Sequence, residues 1–180
     1  MKPRYTTVGI VGAGAMGQGI AQIAAQAGSL VRLFDVHADA TGKAGNALAA
    51  QWDKLVDKGR LDRLLAADHK ARLRPAATLE DLADCDLVVE AIVERLDVKK
   101  SLFFSLESVV SPQTVLASNT SSLSITAIGA GLKTDATTCI GLTEYARQMG
   151  HTPVQAQDTP GFIVNHAGRA IGLSLMHEEH

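Results

Sequence analysis

The segment Gly12-Ala13-Gly14-Ala15-Met16-Gly17 constrains this chain more than any other, because of what flanks it. Before it runs a β-like stretch, Thr7 to Val11; after it a helix-like stretch, Met16 to Ala27. A second β-like run, Val31 to Phe34, ends at Asp35, eighteen residues past Gly17. Strand, glycine turn, helix, strand and acid in this order describe a dinucleotide-binding βαβ unit. Gly12 permits the tight turn, Gly14 lets the backbone approach a pyrophosphate, and Gly17 permits close helix packing. The N-terminal N–H groups and dipole of the helix then face the phosphates. Asp35 is placed to accept both ribose hydroxyls of NAD, and its charge repels the 2′-phosphate of NADP. The apolar N-terminus superficially suggests a secretory leader. Its five glycines, from Gly9 to Gly19, weaken an isolated helix, and the stretch continues directly into the next strand.

The rest of the chain alternates helix and strand. Ala44, Leu48, Trp52, Leu55 and Val56 recur at helical spacing within Ala38 to Lys58. A short strand is expected near Leu73 to Ala76 and a helical turn near Leu79 to Leu82. Leu87-Val88-Val89 reads as a buried parallel strand, Asp97 to Val110 as a helix closed by Ser111-Pro112, and Thr114 to Ala117 as a further strand. Repeated units of this kind give an α/β, doubly wound parallel sheet, with ligands beyond the carboxyl ends of its strands. That rule draws attention to Glu90-Ala91-Ile92-Val93-Glu94 and Ser118-Asn119-Thr120-Ser121-Ser122.

Composition excludes several function classes. A net charge of −2 without a basic block gives no reason to expect nucleic acid or an anionic membrane surface as a partner. No apolar run is long enough to span a membrane. Cys85 and Cys139 lack metal or disulfide spacing, which suits a reducing cytoplasm, and the six histidines show no metal-ligand pairing.

Val88-Val89-Glu90-Ala91-Ile92-Val93-Glu94, Ala117-Ser118-Asn119-Thr120-Ser121-Ser122-Leu123 and Asp158-Thr159-Pro160-Gly161-Phe162-Ile163-Val164-Asn165 follow the glycine turn in order. From about Thr7 to Arg169 the chain resembles the (S)-3-hydroxyacyl-CoA dehydrogenases, particularly bacterial 3-hydroxybutyryl-CoA types. The resemblance implies a Rossmann-type NAD-binding domain over residues 1–158, with the start of a helical substrate and dimerisation domain over 159–180. It implies NAD-dependent oxidation of an acyl-CoA thioester substrate at C3, by a homodimer in the complete protein. By the same likeness, Gly12, Gly14, Met16, Gly17 and Asp35 hold the cofactor, and Glu94 and Lys99 lie along its nicotinamide half. Ser121 bonds the substrate hydroxyl or keto oxygen, and Asn165 holds the acyl group from the far side.

Plainer readings stand beside these. Ser121 could cap the short helix expected from Ser124 to Ala130, Lys99 alone reads as a solvated helix residue, and Asn165 could close a Pro-Gly turn. Glu94, directly beyond a buried strand, needs a partner to offset desolvation. Arg147, Arg169, Asp57 and Asp62 read as solvated faces.

The family's general base is missing. Its histidine sits in an H-F-F-N-P motif and is held by a glutamate on the next strand; here Gly131-Leu132-Lys133 runs straight into Thr134-Asp135-Ala136. The expectation is therefore a deletion between 133 and 134, in a chain that is a subset of a longer active enzyme. A non-catalytic NAD-binding relative is the alternative. A dehydrogenase for free hydroxyacids is a third reading, which the Asn119-to-Ser122 and Asp158-to-Phe162 motifs oppose.

Overall fold

The structure, a computed structural model, describes residues 2–129 and 136–154. Five parallel strands form one sheet in the order β3-β2-β1-β4-β5, so the chain reverses its direction of travel between β1 and β4. The strands are β1 (Thr7–Val11), β2 (Leu30–Phe34), β3 (Leu73–Pro75), β4 (Leu87–Glu90) and β5 (Val115–Ser118). Helices α1 (Ala15–Gln26), α2 (Ala40–Asp57), α3 (Arg63–Arg72), α4 (Leu96–Val109), α5 (Ile125–Ile128) and α6 (Ala136–Gln148) surround it. The doubly wound expectation is met, and the edge strand β3 ends on Pro75, where a missing N–H is tolerated.

Both faces of the sheet are covered, which is why its strands read as apolar runs rather than alternating ones. Val8 and Ile10 of β1 join Val31, Leu33 and Leu87 beneath α1 and α2. Val11 faces the other way and joins Phe34, Val88 and Leu106 beneath α4. Helix α1 meets the sheet through Gly17, Ala21, Ala24 and Ala25, small residues at helical spacing that allow a close approach. Helix α2 buries Ala44, Leu48 and Trp52 at intervals of four. Helix α6 is fastened by Tyr145, whose hydroxyl lies 2.7 Å from Ser29 Oγ and whose ring meets Tyr5 edge-on at 5.3 Å.

Helix α3 departs from the sequence reading, which placed only solvated aspartates between α2 and β3. Asp62, although exposed, is the N-cap of α3 and accepts hydrogen bonds from the Leu64 and Leu65 amides at 2.7 and 3.3 Å. The helix buries only Ala66 and His69 while Leu64 and Leu65 face solvent, so it carries no apolar stripe for periodicity to reveal.

Candidate functional site

The glycine turn lies where β1 ends, between β2 and β4. Gly12 has a φ of +106°, a conformation that L side chains rarely adopt, and its N–H donates to the Phe34 carbonyl at 2.8 Å. A Cβ on Gly12 would stand 2.5 Å from the Ala91 carbonyl oxygen, so the turn is pressed against the chain leaving β4. A Cβ on Gly17 would stand 1.8 Å from the Gly12 carbonyl oxygen, which fixes how closely α1 follows the turn. Gly14 is the opposite case. It is the N-cap of α1, supplies no side-chain cap, and a Cβ there would meet nothing within 4 Å. A bare helix N-terminus facing open space is what a pyrophosphate requires. Met16, in the first turn of α1, is 58% exposed.

Asp35 is folded back toward this turn. Its Oδ2 accepts the Ala13 N–H at 2.8 Å, and its Oδ1 accepts the His37 N–H at 2.9 Å and lies 3.0 Å from His37 Nδ1. Burial pushes the carboxyl pKa up, but the Ala13 and His37 hydrogen bonds outweigh it and hold the group below its usual range. An ionised acid thus sits beside the glycine turn at the end of β2, on the side where an adenosine ribose is expected.

A second group of residues occupies the carboxyl ends of β4 and β5. Glu90, the last residue of β4, is fully buried, and so is Lys99 of α4. Lys99 Nζ lies 2.6 Å from Glu90 Oε1 and 3.2 Å from Glu94 Oε2. The Ile92 N–H donates to Glu90 Oε1 at 2.7 Å, and Ser118 Oγ donates to Glu90 Oε2 at 2.5 Å. Glu94, 40% exposed, gathers the next segment: Thr120 Oγ1 and Ser122 Oγ both donate to its Oε1, the latter at 2.6 Å. Partial burial raises the Glu94 pKa, but hydrogen bonds from Ser122, Thr120 and Lys99, with the lysine's charge, bring it down to about 2. The carboxylate is fixed in its charged form.

The structure brings Gly12, Gly14, Met16, Gly17 and Asp35 to one turn, and Glu94 and Lys99 to one cluster. It removes one plainer reading and extends another. Lys99 is no solvated helix residue, since an ammonium between two carboxylates is drawn inward off the helix surface. The full desolvation cost falls on Glu90 rather than on Glu94, because β4 runs one residue past the apolar Leu87-Val88-Val89 and ends on that glutamate. Ser121 lies in the segment that Glu94 holds, and the cap of α5 is Ser124, whose Oγ accepts the Ala127 N–H at 3.1 Å. Asn165 and the Lys133–Thr134 junction lie outside the described residues. Sequence reasoning gave no role to Glu90, Ser118, Thr120 or Ser122. The available signal was an acid ending an apolar strand, with a lysine one turn into the following helix.

A parallel sheet in this order, a glycine turn at its reversal point and an ionised acid ending β2 define a dinucleotide-binding Rossmann domain. More narrowly, the chain belongs to the 3-hydroxyacyl-CoA dehydrogenase family, whose NAD-binding domain matches residues 7–142. It is 38% identical over 190 aligned positions to the 3-hydroxyadipyl-CoA dehydrogenase of Escherichia coli K12, with 91% of this chain and 40% of that protein covered. It is 36% identical to a probable 3-hydroxybutyryl-CoA dehydrogenase of Deinococcus radiodurans, with 87% of this chain and 66% of that protein covered. The crystal structure of an E. coli K12 3-hydroxybutyryl-CoA dehydrogenase superposes with a TM-score of 0.91 at 36% identity, covering 97% of this chain and 43% of that one. The chain thus spans roughly two-fifths to two-thirds of the length of these relatives. The 190 positions aligned with the E. coli relative exceed the 180 residues of the chain, so that protein carries residues this one lacks within the shared stretch.

NAD fits the residues present. The open space at Gly14 and the bare N-terminus of α1 suit its pyrophosphate, and the ionised Asp35 suits a ribose diol. No described helix is long and apolar enough to cross a membrane.

Proposed function

We propose that this chain is the cofactor-holding part of an NAD-dependent (S)-3-hydroxyacyl-CoA dehydrogenase that interconverts 3-hydroxyacyl-CoA and 3-ketoacyl-CoA. The observation that carries the reading is the Glu94 cluster, which ties the chain beyond β4 to Thr120 and Ser122 beyond β5. In a sheet of this order those strand ends flank the nicotinamide half of a dinucleotide, opposite the half served by Asp35. A bound NAD would supply the hydride acceptor for C3. Gly12, Gly14, Met16 and Gly17 seat the pyrophosphate, and Asp35 binds the adenosine ribose. Glu94, held ionised, accepts hydrogen bonds from the nicotinamide side, with Lys99 behind it. Ser121 donates to the oxygen on C3, and Asn165 steadies the acyl group.

The hydroxyl proton still needs a base. Among the described residues, His37 is engaged with Asp35, His69 is buried against Trp52 with ring centroids 5.6 Å apart, and His151 follows α6. We assign the base to a segment absent from the sequence between 133 and 134. The length of the alignment with the E. coli relative supports this. The names of the relatives support an acyl-CoA thioester as substrate. Residues 1–158 form the NAD-binding domain and 159–180 open the helical domain of a complete enzyme that is a cytoplasmic homodimer, with no nucleic-acid or membrane partner.

The test pairs intact mass with binding and turnover. A chain of 18.9 kDa should bind NADH, bind NADPH more weakly, and leave acetoacetyl-CoA unreduced. Turnover by a chain of that mass would sink the missing base, and failure to bind NADH would sink the cofactor reading.

A further inference from the structure

Lys99 and Glu90 are both completely buried, and burying charge is costly unless every partner is in place. Here the partners come from three directions. Glu90 takes the Ile92 amide from its own strand's extension, Ser118 Oγ from β5 and Lys99 Nζ from α4. Lys99 then reaches outward to Glu94, whose other oxygen collects Thr120 and Ser122. One ammonium therefore links a carboxylate sealed in the core to a carboxylate at the surface. Lys99 has no exposed surface through which to touch a ligand, whereas Glu94 does.

We propose that Glu90 is a positioning residue: acting through Lys99, it fixes Glu94 and the Thr120–Ser122 segment at the joint ends of β4 and β5. It anchors the lysine at the floor of the site, so that the lysine holds Glu94 rather than following it outward. Through Ser118 it ties the end of β5 to the same point. Its importance for cofactor binding rests on the reading of these strand ends as the nicotinamide half of the NAD site.

The test uses the full chain and the variants Glu90→Gln, Lys99→Met and the two combined. Thermal midpoint, amide hydrogen exchange at Ser122 and Leu123, and NADH affinity are measured on each. Lys99→Met alone should lower the midpoint, because it leaves Glu90 charged without its cation. The double variant should recover much of that loss, since no buried charge remains. Exchange at Ser122 and Leu123 should nevertheless stay faster than in the parent, and the NADH dissociation constant should rise severalfold. Glu90→Gln keeps an acceptor for Ile92 and offers a donor to Ser118, so it should fold. It carries the test if the double variant does not fold, with the same directions expected.

A folded Glu90→Gln or double variant with parental exchange and parental NADH affinity would overturn the proposal, leaving the pair a merely structural one. If the parent chain itself binds no NADH, the cofactor reading falls. Exchange at Ser122 and Leu123 still decides whether Glu90 positions the segment.

Discussion

Gly14 and Gly17 lie three positions apart in one motif, yet the structure asks opposite things of them. A side chain at Gly17 would collide with the Gly12 carbonyl oxygen, a backbone atom that cannot swing aside. Gly17→Ala should therefore cost at least the ~1–3 kcal/mol typical of overpacking, read as a lower urea midpoint, and should abolish NADH binding. Gly14 has an ordinary φ of −69° and open space around it, so Gly14→Ser should fold. A serine there would also cap α1, stabilising the chain by only a few tenths of a kcal/mol (~0.3), while filling the space a pyrophosphate needs. Stability should move in opposite directions in the two variants while NADH affinity falls in both. Glu94 supplies a pH signature. Its pKa is lowered in the folded chain to about 2, so its contribution is present above the unfolded value of about 4.3 and fades as pH falls through that window. The stability gap between the parent and Glu94→Gln should accordingly narrow as pH falls from about 4.3 to about 2, the interval set by the two pKa values, and acid unfolding curves would show it. A gap independent of pH would refute the role given to these hydrogen bonds. The glycines were readable in the sequence because they answer to local backbone geometry. The burial of Lys99 was not, because it depends on Glu90, nine positions away, and on where β4 stops.

Helix α3 shows where periodicity fails among the elements. Helices α1 and α2 announce themselves by small or apolar residues at helical spacing that meet the sheet. Helix α3 buries little and depends instead on its end: Asp62 accepts two amides of its first turn. Removing that cap by Asp62→Ala should cost ~1 kcal/mol in urea unfolding without changing NADH affinity, since α3 carries none of the residues assigned to the cofactor. A larger effect on binding than on stability would mean that α3 takes part in the site. The strands β4 and β5 were legible as apolar runs, and their carboxyl ends as the place to look for ligands. The hydrogen bonds joining those ends were not legible, because they run between elements separated in sequence by all of α4.

For the molecule as a whole, the second core offers a reporter of global unfolding. Cys85 is packed among Val11, Phe34, Leu82, Val88 and Leu106, and burial together with the neighbouring Asp84 pushes its thiol up to about 12. In a Cys139→Ser background, a thiol reagent at neutral pH should modify Cys85 only as fast as the chain unfolds. Modification at the rate of a free thiol in the native chain would show that this face opens on its own. The placement of β1 has a consequence for how the chain is made. Of the five described strands, the first to be synthesised is the centre of the sheet, with β2 along one of its edges and β4 along the other. The neighbour on the first edge arrives soon, but Val8 waits for Leu87 on the second. At typical translation rates that is a delay on the order of ten seconds. During it the nascent chain presents a row of unpaired backbone groups beside apolar side chains, the kind of surface on which holding chaperones act.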